Sequence, residues 1–488
     1  MSDIFQVNKI NFDFKKVKIR FIYIEEVKEM QIEKLIRNAK LVIPKRGIKK
    51  QNIAITNGKI IALLDPSLSI QANEVIDVEG NYILPGIIDP HVHIGLCEGD
   101  KDYLTETKSA AIGGVTTVLT YISHNGSYDE PFKKIKEVGN MQACVDFSTH
   151  FCLTSQDHLN NIEEYINKYG VSSFKFFMNY RGEEGKYAGI APIDDGFMFN
   201  CFLTLGKYDN AVACIHAENI EIGWILREKL KNEGREDLLA WEESKPDYIE
   251  AEAISRAIYL GQIANCPIYI VHVSSKKGLD EIRNYRVRDY RNIYAETCAH
   301  YLKLTSDSDI GVMGKTSPPL RYKKDIENLW EGIADGTIDT VGSDHVPRKR
   351  STKKGNIWEA SGGYPGIATL LPLLLSEGVN KRGISIEKIA EITSYNVAKI
   401  FNLYPRKGTI EIGSDADLTV VDIDVEKEVK WTELGSCSDY TIYEGEKFRG
   451  WPVKTFVRGE IIMENGQIKD RIGYGRFIPR YFNKSTIE

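Results

Sequence analysis

The stretch LPGIIDPHVHIGL, residues 84–96, marks the point at which the sequence changes its rhythm. Before it, short apolar runs alternate with turn signals. After it, short apolar strands alternate with amphipathic helical segments. The stretch ends a strand with His91 and His93, whose side chains point to the same side because alternate residues of a strand share a face. A single pair of histidines at this spacing is weak support for a metal site. A metal site is indicated only if further ligand residues occur at the corresponding ends of other strands.

Eight strand-like runs begin with this stretch, and helical segments separate them. One of these segments, AEAISRAIYLGQIAN from Ala251, has apolar residues at Ile254, Ala257, Ile258 and Ile263 beside polar ones, as expected of a helix that coats a barrel. Strands and helices in this alternation predict an α/β fold, a (β/α)8 TIM-like barrel. The eight runs are IIDPHVH, VTTVLTYI, ACVDFSTHFCL, SSFKFFMNY, AVACIHAEN, PIYIVHVSS, NIYAETCAHYL and IDTVGSDH.

Strand patterns of a different kind flank the barrel on both sides. In the flank that precedes the barrel, the run NIAITNGKIIALL contains Asn57-Gly58 as a hairpin turn, which predicts antiparallel β structure. Similar patterns return after the helical segment SIEKIAEITSYNVAKIFNL, so we predict one small β-sandwich built from both flanks. The two terminal segments fit neither domain, and we expect solvated or oligomer-contacting extensions. The predicted division is 1–32 extension, 33–84 sandwich, 85–405 barrel, 406–470 sandwich and 471–488 tail.

Composition narrows the functional classes. The 488 residues are 42% hydrophobic and 27% charged, with a net charge of -6, which offers no basic face for nucleic acid or an anionic membrane. The eight cysteines are scattered without a C-x-x-C motif, so we expect reduced thiols. With no signal-like N-terminus and no apolar run of membrane-spanning length, a cytoplasmic protein that acts on a small polar molecule is expected.

Residues that can ligate metals recur at the ends of the predicted barrel strands, where the active sites of barrels lie. Each has an ordinary structural explanation by itself, such as a histidine bound to a backbone carbonyl or an aspartate that caps a helix. Together they favour a metal centre, because imidazole and carboxylate ligands suit zinc and similar divalent ions. The candidates are His91, His93, His216, His272 and Asp344, and Lys175 lies in the fourth of these strands, although a lysine ammonium cannot itself ligate a cation.

The run from Leu84 to about Asp424 resembles the amidohydrolase superfamily, in the cyclic amidase branch with dihydropyrimidinase, hydantoinase, allantoinase and dihydroorotase. The likeness is closest to hydantoinase and dihydropyrimidinase. It implies a metal-dependent hydrolase that opens a cyclic ureide or imide to an N-carbamoyl amino acid. The motifs that carry it are LPGIIDPHVH, GGVTTV, SSFKFFMNY, HAEN, YIVHVSS, ETCAHYLKL, SPPLR, GSDHVP and KGTIEIGSDADLTVVD.

The resemblance also implies roles for individual residues. Two divalent ions, expected to be zinc, would be bridged by Lys175 carboxylated on its amine. Asp344 would be both ligand and general base, and Tyr180 would donate a hydrogen bond to the oxyanion. The implied ligands are His91, His93 and Asp344 for one ion and His216 and His272 for the other, and the implied substrate contacts are Tyr180, Ser317 and Gly363.

Alternatives remain at this stage. Ala368 and Leu370, in SGGYPGIATLL, replace a charged pair that is usual in hydantoinases, which leaves an allantoinase or dihydroorotase type open. A non-catalytic scaffold is a further alternative, although the complete ligand set counts against it. Relatives suggest a homodimer or homotetramer.

The loop after His93 bears on the charge of the substrate. Gly95 stands where dihydroorotases carry an arginine for the ring carboxylate, and Ile94 and Leu96 make that rim apolar. The sequence therefore predicts a preference for a neutral ring. The alternative is that an arginine of another loop, such as Arg181 or Arg321, supplies the charge.

Overall fold

A computed structural model describes residues 31–288, 290 and 292–481, so the predicted extension 1–32 lies almost wholly outside the described residues. Within those residues the strands form three sheets. They are β1 (Lys34–Arg37), β2 (Lys40–Ile43), β3 (Gly47–Lys50), β4 (Asn52–Thr56), β5 (Lys59–Leu64), β6 (Glu74–Asp77), β7 (Tyr82–Pro85), β8 (Ile87–Val92), β9 (Val115–Ile122), β10 (Asp146–Cys152), β11 (Ser173–Phe177), β12 (Val212–His216), β13 (Ile268–Ile270), β14 (Ile293–Cys298), β15 (Thr340–Gly342), β16 (Leu418–Glu428), β17 (Lys447–Val457), β18 (Glu460–Glu464) and β19 (Gln467–Ile468).

Helices fill the connections between the barrel strands and follow the last of them. Across the described ranges, no helix is both long and apolar enough to cross a membrane. The α-helices are α1 (Asp102–Ile112), α2 (Asp129–Gln142), α3 (Gln156–Asn160), α4 (Ile162–Asn167), α5 (Gly182–Ala188), α6 (Asp195–Leu205), α7 (Ile220–Asn232), α8 (Leu238–Glu243), α9 (Asp247–Ile263), α10 (Lys276–Val287), α11 (Lys323–Asp335), α12 (Leu370–Leu373), α13 (Ile386–Ala390) and α14 (Asn396–Ile400), with π-helical turns at Leu374–Lys381 and Glu391–Tyr395.

The eight strands β8 to β15 form one parallel sheet in sequence order. Their residues are buried almost throughout, because helices cover one face and the barrel interior covers the other. The sheet closes where His93 N donates to His345 O at 2.8 Å and His345 N donates to His91 O at 3.3 Å. This arrangement confirms the predicted (β/α)8 barrel.

The N- and C-terminal flanks share one β domain. Strand β16 pairs antiparallel with β7, with Leu418 opposite Pro85, so the two flanks meet in the sheet β19-β18-β17-β16-β7-β2-β3. A second sheet, β5-β4-β1-β6, faces it across a core of aliphatic side chains that includes Ile36, Ile53 and Val420. The predicted sandwich of two segments is confirmed.

A buried ion cluster joins the barrel to the sandwich. Lys407 lies almost fully buried, with its Nζ 2.8 Å from Asp146 Oδ2 of β10 and in contact with Asp417, which directly precedes β16. Arg458, after β17, forms an ion pair with the same Asp146. Burial opposes ionisation of the Asp146 carboxyl, but Lys407 and Arg458 lower its pKa.

The described part of the tail, residues 471–481, packs against the barrel, contrary to the expectation of a solvated or oligomer-contacting extension. Ile478 and Arg480 are fully buried, and Ile478 N donates to Phe147 O at 2.7 Å. The Arg480 guanidinium donates to Ser148 Oγ at 3.0 Å and Ser173 Oγ at 2.6 Å, at the N-terminal ends of β10 and β11. The mixed charges of the tail gave no sign of this, because its partners lie some 300 residues away in the chain.

The expectation that all cysteines are reduced is wrong for one pair. Cys97, in the loop after β8, and Cys437, between β16 and β17, form a disulfide across 340 residues of sequence. The other six cysteines are free and buried. Sequence spacing could not reveal the pair, because one cysteine follows a barrel strand and the other lies between two sandwich strands, and only the folded chain brings them together.

The ion cluster predicts a large loss of stability for Lys407→Met. The substitution leaves Asp146 and Asp417 buried without their ammonium partner, which costs about 3 to 5 kcal/mol. Urea unfolding measures the change in the free energy of unfolding. The matched control is Lys229→Met, which removes an exposed pair with Glu233 and should cost about 1 kcal/mol or less. Equal losses in the two variants would contradict the importance of the cluster.

Candidate metal centre and catalytic pocket

The predicted site residues lie together at the C-terminal rim of the barrel. His91 belongs to β8, Lys175 to β11 and His216 ends β12, while His272 and Asp344 follow β13 and β15 within two residues. Parallel strands bring these ends to one rim, so residues far apart in sequence become neighbours. They line a cavity of about 370 Å³, together with the other predicted residues His93, Tyr180, Ser317 and Gly363.

Three of these side chains converge on one point. His91 Nε2 and His93 Nε2 each lie 3.3 Å from Asp344 Oδ1. All three ligand atoms lie within 4.8 Å of one another. Two imidazole nitrogens and a carboxylate oxygen in this arrangement can hold a divalent cation.

The other two histidines form a second point of convergence. His216 Nδ1 and His272 Nε2 lie 2.9 Å apart, and both residues are buried. Burial lowers the pKa of His216 to about 4 and lowers the pKa of His272 well below its ordinary value. Both imidazoles are therefore neutral at pH 7, the state in which a histidine ligates a metal.

Lys175 has no hydrogen-bond partner for its Nζ among the described residues, although it is only 1% exposed. The amine lies 4.5 Å from the ring centroid of Tyr121 and 5.0 Å from that of Phe177. Burial lowers its pKa, which favours the neutral amine. A neutral amine can take up carbon dioxide as a carbamate, and the carbamate oxygens would be ligands. The donor set therefore fits a pair of divalent ions.

Two buried carboxylates orient the histidine rings. Glu296 Oε1 accepts from His91 Nδ1 at 2.7 Å, which leaves the Nε2 lone pair free. Glu218 Oε2 accepts from His216 Nε2 at 2.7 Å, which puts the lone pair on Nδ1, the atom that faces His272 Nε2. Such carboxylates fix the tautomer and orientation of metal-binding histidines.

Sequence reasoning missed both carboxylates. Glu218 is two residues beyond His216, and Glu296 lies inside a buried strand among apolar neighbours. An acidic residue in such a strand was the available signal, because a buried carboxylate needs partners. Glu218 has a second partner besides His216, because Lys245 Nζ lies 3.1 Å from its carboxylate. Burial opposes ionisation of Glu218, but Lys245 lowers the pKa of this carboxyl to about 2.

Asp344 is held as an anion beside the first two histidines. Burial opposes ionisation, but His91 and His93 lower its pKa below the ordinary value. Its backbone has φ of 47° and that of His272 has φ of 43°, in the left-handed region that non-glycine residues rarely adopt. Such conformations cost about 1 to 3 kcal/mol each and are typical of functional sites.

His345, the residue after Asp344, forms hydrogen bonds with the surrounding protein and does not line the cavity. His345 Nε2 donates to Glu106 Oε2 at 2.9 Å. Its Nδ1 accepts from Gly366 N at 3.1 Å and Ile367 N at 3.3 Å. Hydrogen bonds at both ring nitrogens therefore fix the loop that carries Asp344.

The three predicted substrate contacts all line the cavity. The Tyr180 ring stacks on Phe177 with centroids 4.6 Å apart, and burial raises the pKa of its hydroxyl. Ser317 Oγ accepts from Lys245 Nζ at 2.9 Å. Gly363 has φ of +81°, and a Cβ there would lie 2.6 Å from the Val346 side chain, so only glycine fits.

Comparison with known proteins identifies the family. Residues 253–462 match the amidohydrolase family. The L-hydantoinase of Paenarthrobacter aurescens is 32% identical over 91% of this chain and 98% of its own length. The D-hydantoinase of Geobacillus stearothermophilus is 32% identical over 92% of this chain and 96% of its own length.

Solved structures give the same grouping. The crystal structure of dihydropyrimidinase from Brevibacillus agri has a TM-score of 0.85 at 31% identity and covers 92% of this chain and 98% of its own. That of the L-hydantoinase from Arthrobacter aurescens has a TM-score of 0.86 at 30% identity, over 92% of this chain and all of its own. The chain therefore belongs to the amidohydrolase family, in the group of the hydantoinases and dihydropyrimidinases.

Proposed function

We propose that the protein hydrolyses the cyclic amide bond of a five- or six-membered ureide or imide ring and releases an N-carbamoyl amino acid. The observation that carries the proposal is the unpartnered, buried amine of Lys175 in a cavity with two convergent sets of metal ligands. Relatives named hydantoinase and dihydropyrimidinase support the same reaction.

The residues would divide between two divalent ions, expected to be zinc. One ion would take His91, His93 and Asp344, and the other would take His216 and His272. A carboxylated Lys175 would be a ligand shared by the two. When bound, such ions supply Lewis acidity that polarises an amide carbonyl and lowers the pKa of a water molecule.

Asp344 is the proposed proton carrier. Its lowered pKa keeps the carboxylate ionised at neutral pH, so one oxygen can accept a proton from the attacking water. The same oxygen then returns the proton to the ring nitrogen as the carbon-nitrogen bond breaks. Without this transfer the nitrogen would have to leave as an anion.

Tyr180 is the proposed oxyanion donor. Its raised pKa keeps the hydroxyl protonated, and its stacking on Phe177 holds the ring against the cavity wall. Ser317 and Gly363, which also line the cavity, would contact the ring amide. Lys245 links Ser317 to Glu218 and through it to His216, so substrate and ligand positions share one hydrogen-bonded chain.

An allantoinase or dihydroorotase activity is the second candidate, favoured by Ala368 and Leu370. A panel of cyclic ureides separates the possibilities: hydantoins, dihydrouracil, allantoin and dihydroorotate, with the carbamoyl product measured directly. A non-catalytic scaffold would hydrolyse none of them. The cytoplasmic location and the homodimer or homotetramer stay predictions, which fractionation of cells and sedimentation of the protein would test.

The first prediction here concerns metal content. Because two ligand sets and a carbamate would share the cavity, elemental analysis should find close to two divalent ions per chain. Removal by a chelator should abolish activity, and added zinc should restore it. Metal-free protein with full activity would contradict the mechanism.

A second prediction concerns the role of Lys175 in metal binding. Lys175→Ala removes the bridging group, so it should bind fewer than two ions and lose at least about a hundredfold in kcat. Lys175→Arg should not rescue either property, because a guanidinium stays charged and is not carboxylated. Elemental analysis and turnover measure the two effects.

A spectroscopic readout makes the Lys175 prediction independent of activity. Protein loaded with metal in 13C-bicarbonate should show a carbamate carbon signal that is absent from Lys175→Ala. The matched control is Lys168→Ala, an exposed lysine paired with Glu164, which should keep the signal. A wild-type protein without the signal, at two ions per chain, would show that the lysine is not carboxylated.

A third prediction concerns Tyr180. Tyr180→Phe removes one oxyanion donor while keeping the stacked ring, so kcat should fall by about 10²- to 10³-fold at nearly unchanged metal content. Tyr187→Phe is the matched control, because that tyrosine lies on the same cavity and is 72% exposed. Similar turnover in Tyr180→Phe and wild type would remove the proposed role.

A further inference from the structure

Two cations that line the cavity, Arg348 and Lys315, have no anionic partner among the described residues. Arg348 lines the cavity, its Nε is buried, and its guanidinium forms no hydrogen bond to the described residues. Lys315 also lines the cavity, and its Nζ donates only to the carbonyl oxygen of Trp358, at 3.1 Å. Behind them Lys353 Nζ donates to the Lys315 carbonyl at 3.3 Å. Among the residues that the structure describes, none of these three cations has a carboxylate within 4.0 Å.

The other cations of the cavity differ in this respect. Arg227 forms an ion pair with Glu184, Lys231 lies 3.3 Å from Glu228, and Lys245 lies 3.1 Å from Glu218. Their charges are neutralised within the protein. Apart from Lys175, which the proposed function assigns to the metal centre, Arg348 and Lys315 are therefore the cations of this cavity left for a bound molecule to neutralise.

Burial of these groups is costly without an anion. Lys315 and Lys353 are each only 6% exposed, and burial lowers the pKa of both to about 7. The cost of burying an ammonium falls when an opposite charge lies beside it. An anion in the cavity would therefore bind more tightly than a neutral group of the same shape.

Arg348 is close to the reacting groups. It follows Asp344 by four residues on the loop after β15, and its charge partly offsets the burial that raises the pKa of Tyr180. The two arginines that the sequence suggested are engaged elsewhere. Arg181 donates to Glu221 at 2.5 Å and to Ile193 O at 3.1 Å. Arg321 is buried against Glu242 and does not line the cavity.

We propose that the ring of the substrate carries a carboxylate on its substituent, bound by the fork of Arg348 with Lys315 as a second positive charge. This inference rests on the proposed function. A guanidinium can bind both carboxylate oxygens at once, which fixes the ring as well as holding it. The proposal reverses the preference for a neutral ring that Gly95 and the apolar rim suggested.

The test compares substrates that differ only in charge. Wild-type protein is given 5-(carboxymethyl)hydantoin and its amide, 5-(carbamoylmethyl)hydantoin. A charged hydrogen-bonded pair predicts that kcat/KM for the acid exceeds that for the amide by roughly 10- to 100-fold. Dihydroorotate beside dihydrouracil, in a second arm, shows whether the carboxylate has to sit on the ring itself.

Variants locate the effect. In Arg348→Met the ratio of acid to amide should fall to about 1, and in Lys315→Met it should fall less. The matched control is Arg350→Met, an exposed arginine two residues further on that does not line the cavity, and it should keep the wild-type ratio. Metal content and thermal unfolding of each variant show whether it is folded. The ratio of kcat/KM for the acid to that for the amide is measured on one protein sample, so it does not depend on the fraction of active protein.

Two results would overturn the inference: an amide hydrolysed as well as the acid by wild type, or an acid preference that persists in Arg348→Met. If metal-loaded protein hydrolyses no cyclic ureide at all, the proposed function fails instead. Calorimetric binding then decides the inference separately. Tighter binding of the acid than of the amide, lost in Arg348→Met, would support it, and equal binding would end it.

Discussion

The site depends on closure of the barrel between its first and last strands. The hydrogen bonds of His345 to the backbone of His91 and His93 join β8 to the segment after β15. The same bonds bring Asp344 within 3.3 Å of both histidines. The first ligand set is therefore assembled only when the barrel is closed. In a sheet that failed to close, Asp344 would lie away from His91 and His93.

Closure has an electrostatic cost that the surrounding side chains offset. The rim buries imidazoles, carboxylates and an amine that water would otherwise solvate. Glu296 holds His91, in the first ligand set, in the tautomer that leaves a lone pair free, and Glu218 does the same for His216 in the second. Of the predicted ligands, Lys175 alone has a fully buried side-chain polar atom without a partner in the described protein, and carboxylation with metal binding would give that amine its partners.

The sequence predicted the barrel, the sandwich and the rim positions because each is encoded locally, by strand patterns and by polar residues at strand ends. It could not predict partners that only the fold brings together. Cys97 and Cys437 lie 340 residues apart, and Arg480 donates to serines of β10 and β11 that precede it by 332 and 307 residues. Glu296 was overlooked for a different reason: a lone acid in a buried strand shows that a partner exists, but not which one.

Arg348 shows why the charge of a substrate is harder to predict than the reaction. Ligands sit at strand ends, whose places the barrel fixes, whereas the substituent of a bound ring faces loops from several strands. A cation can reach that substituent from any of these loops. The glycine at position 95 therefore shows only that the first loop supplies no charge. The loop after β15 can supply it instead, and Arg348, without an anionic partner in the described protein, is placed to do so.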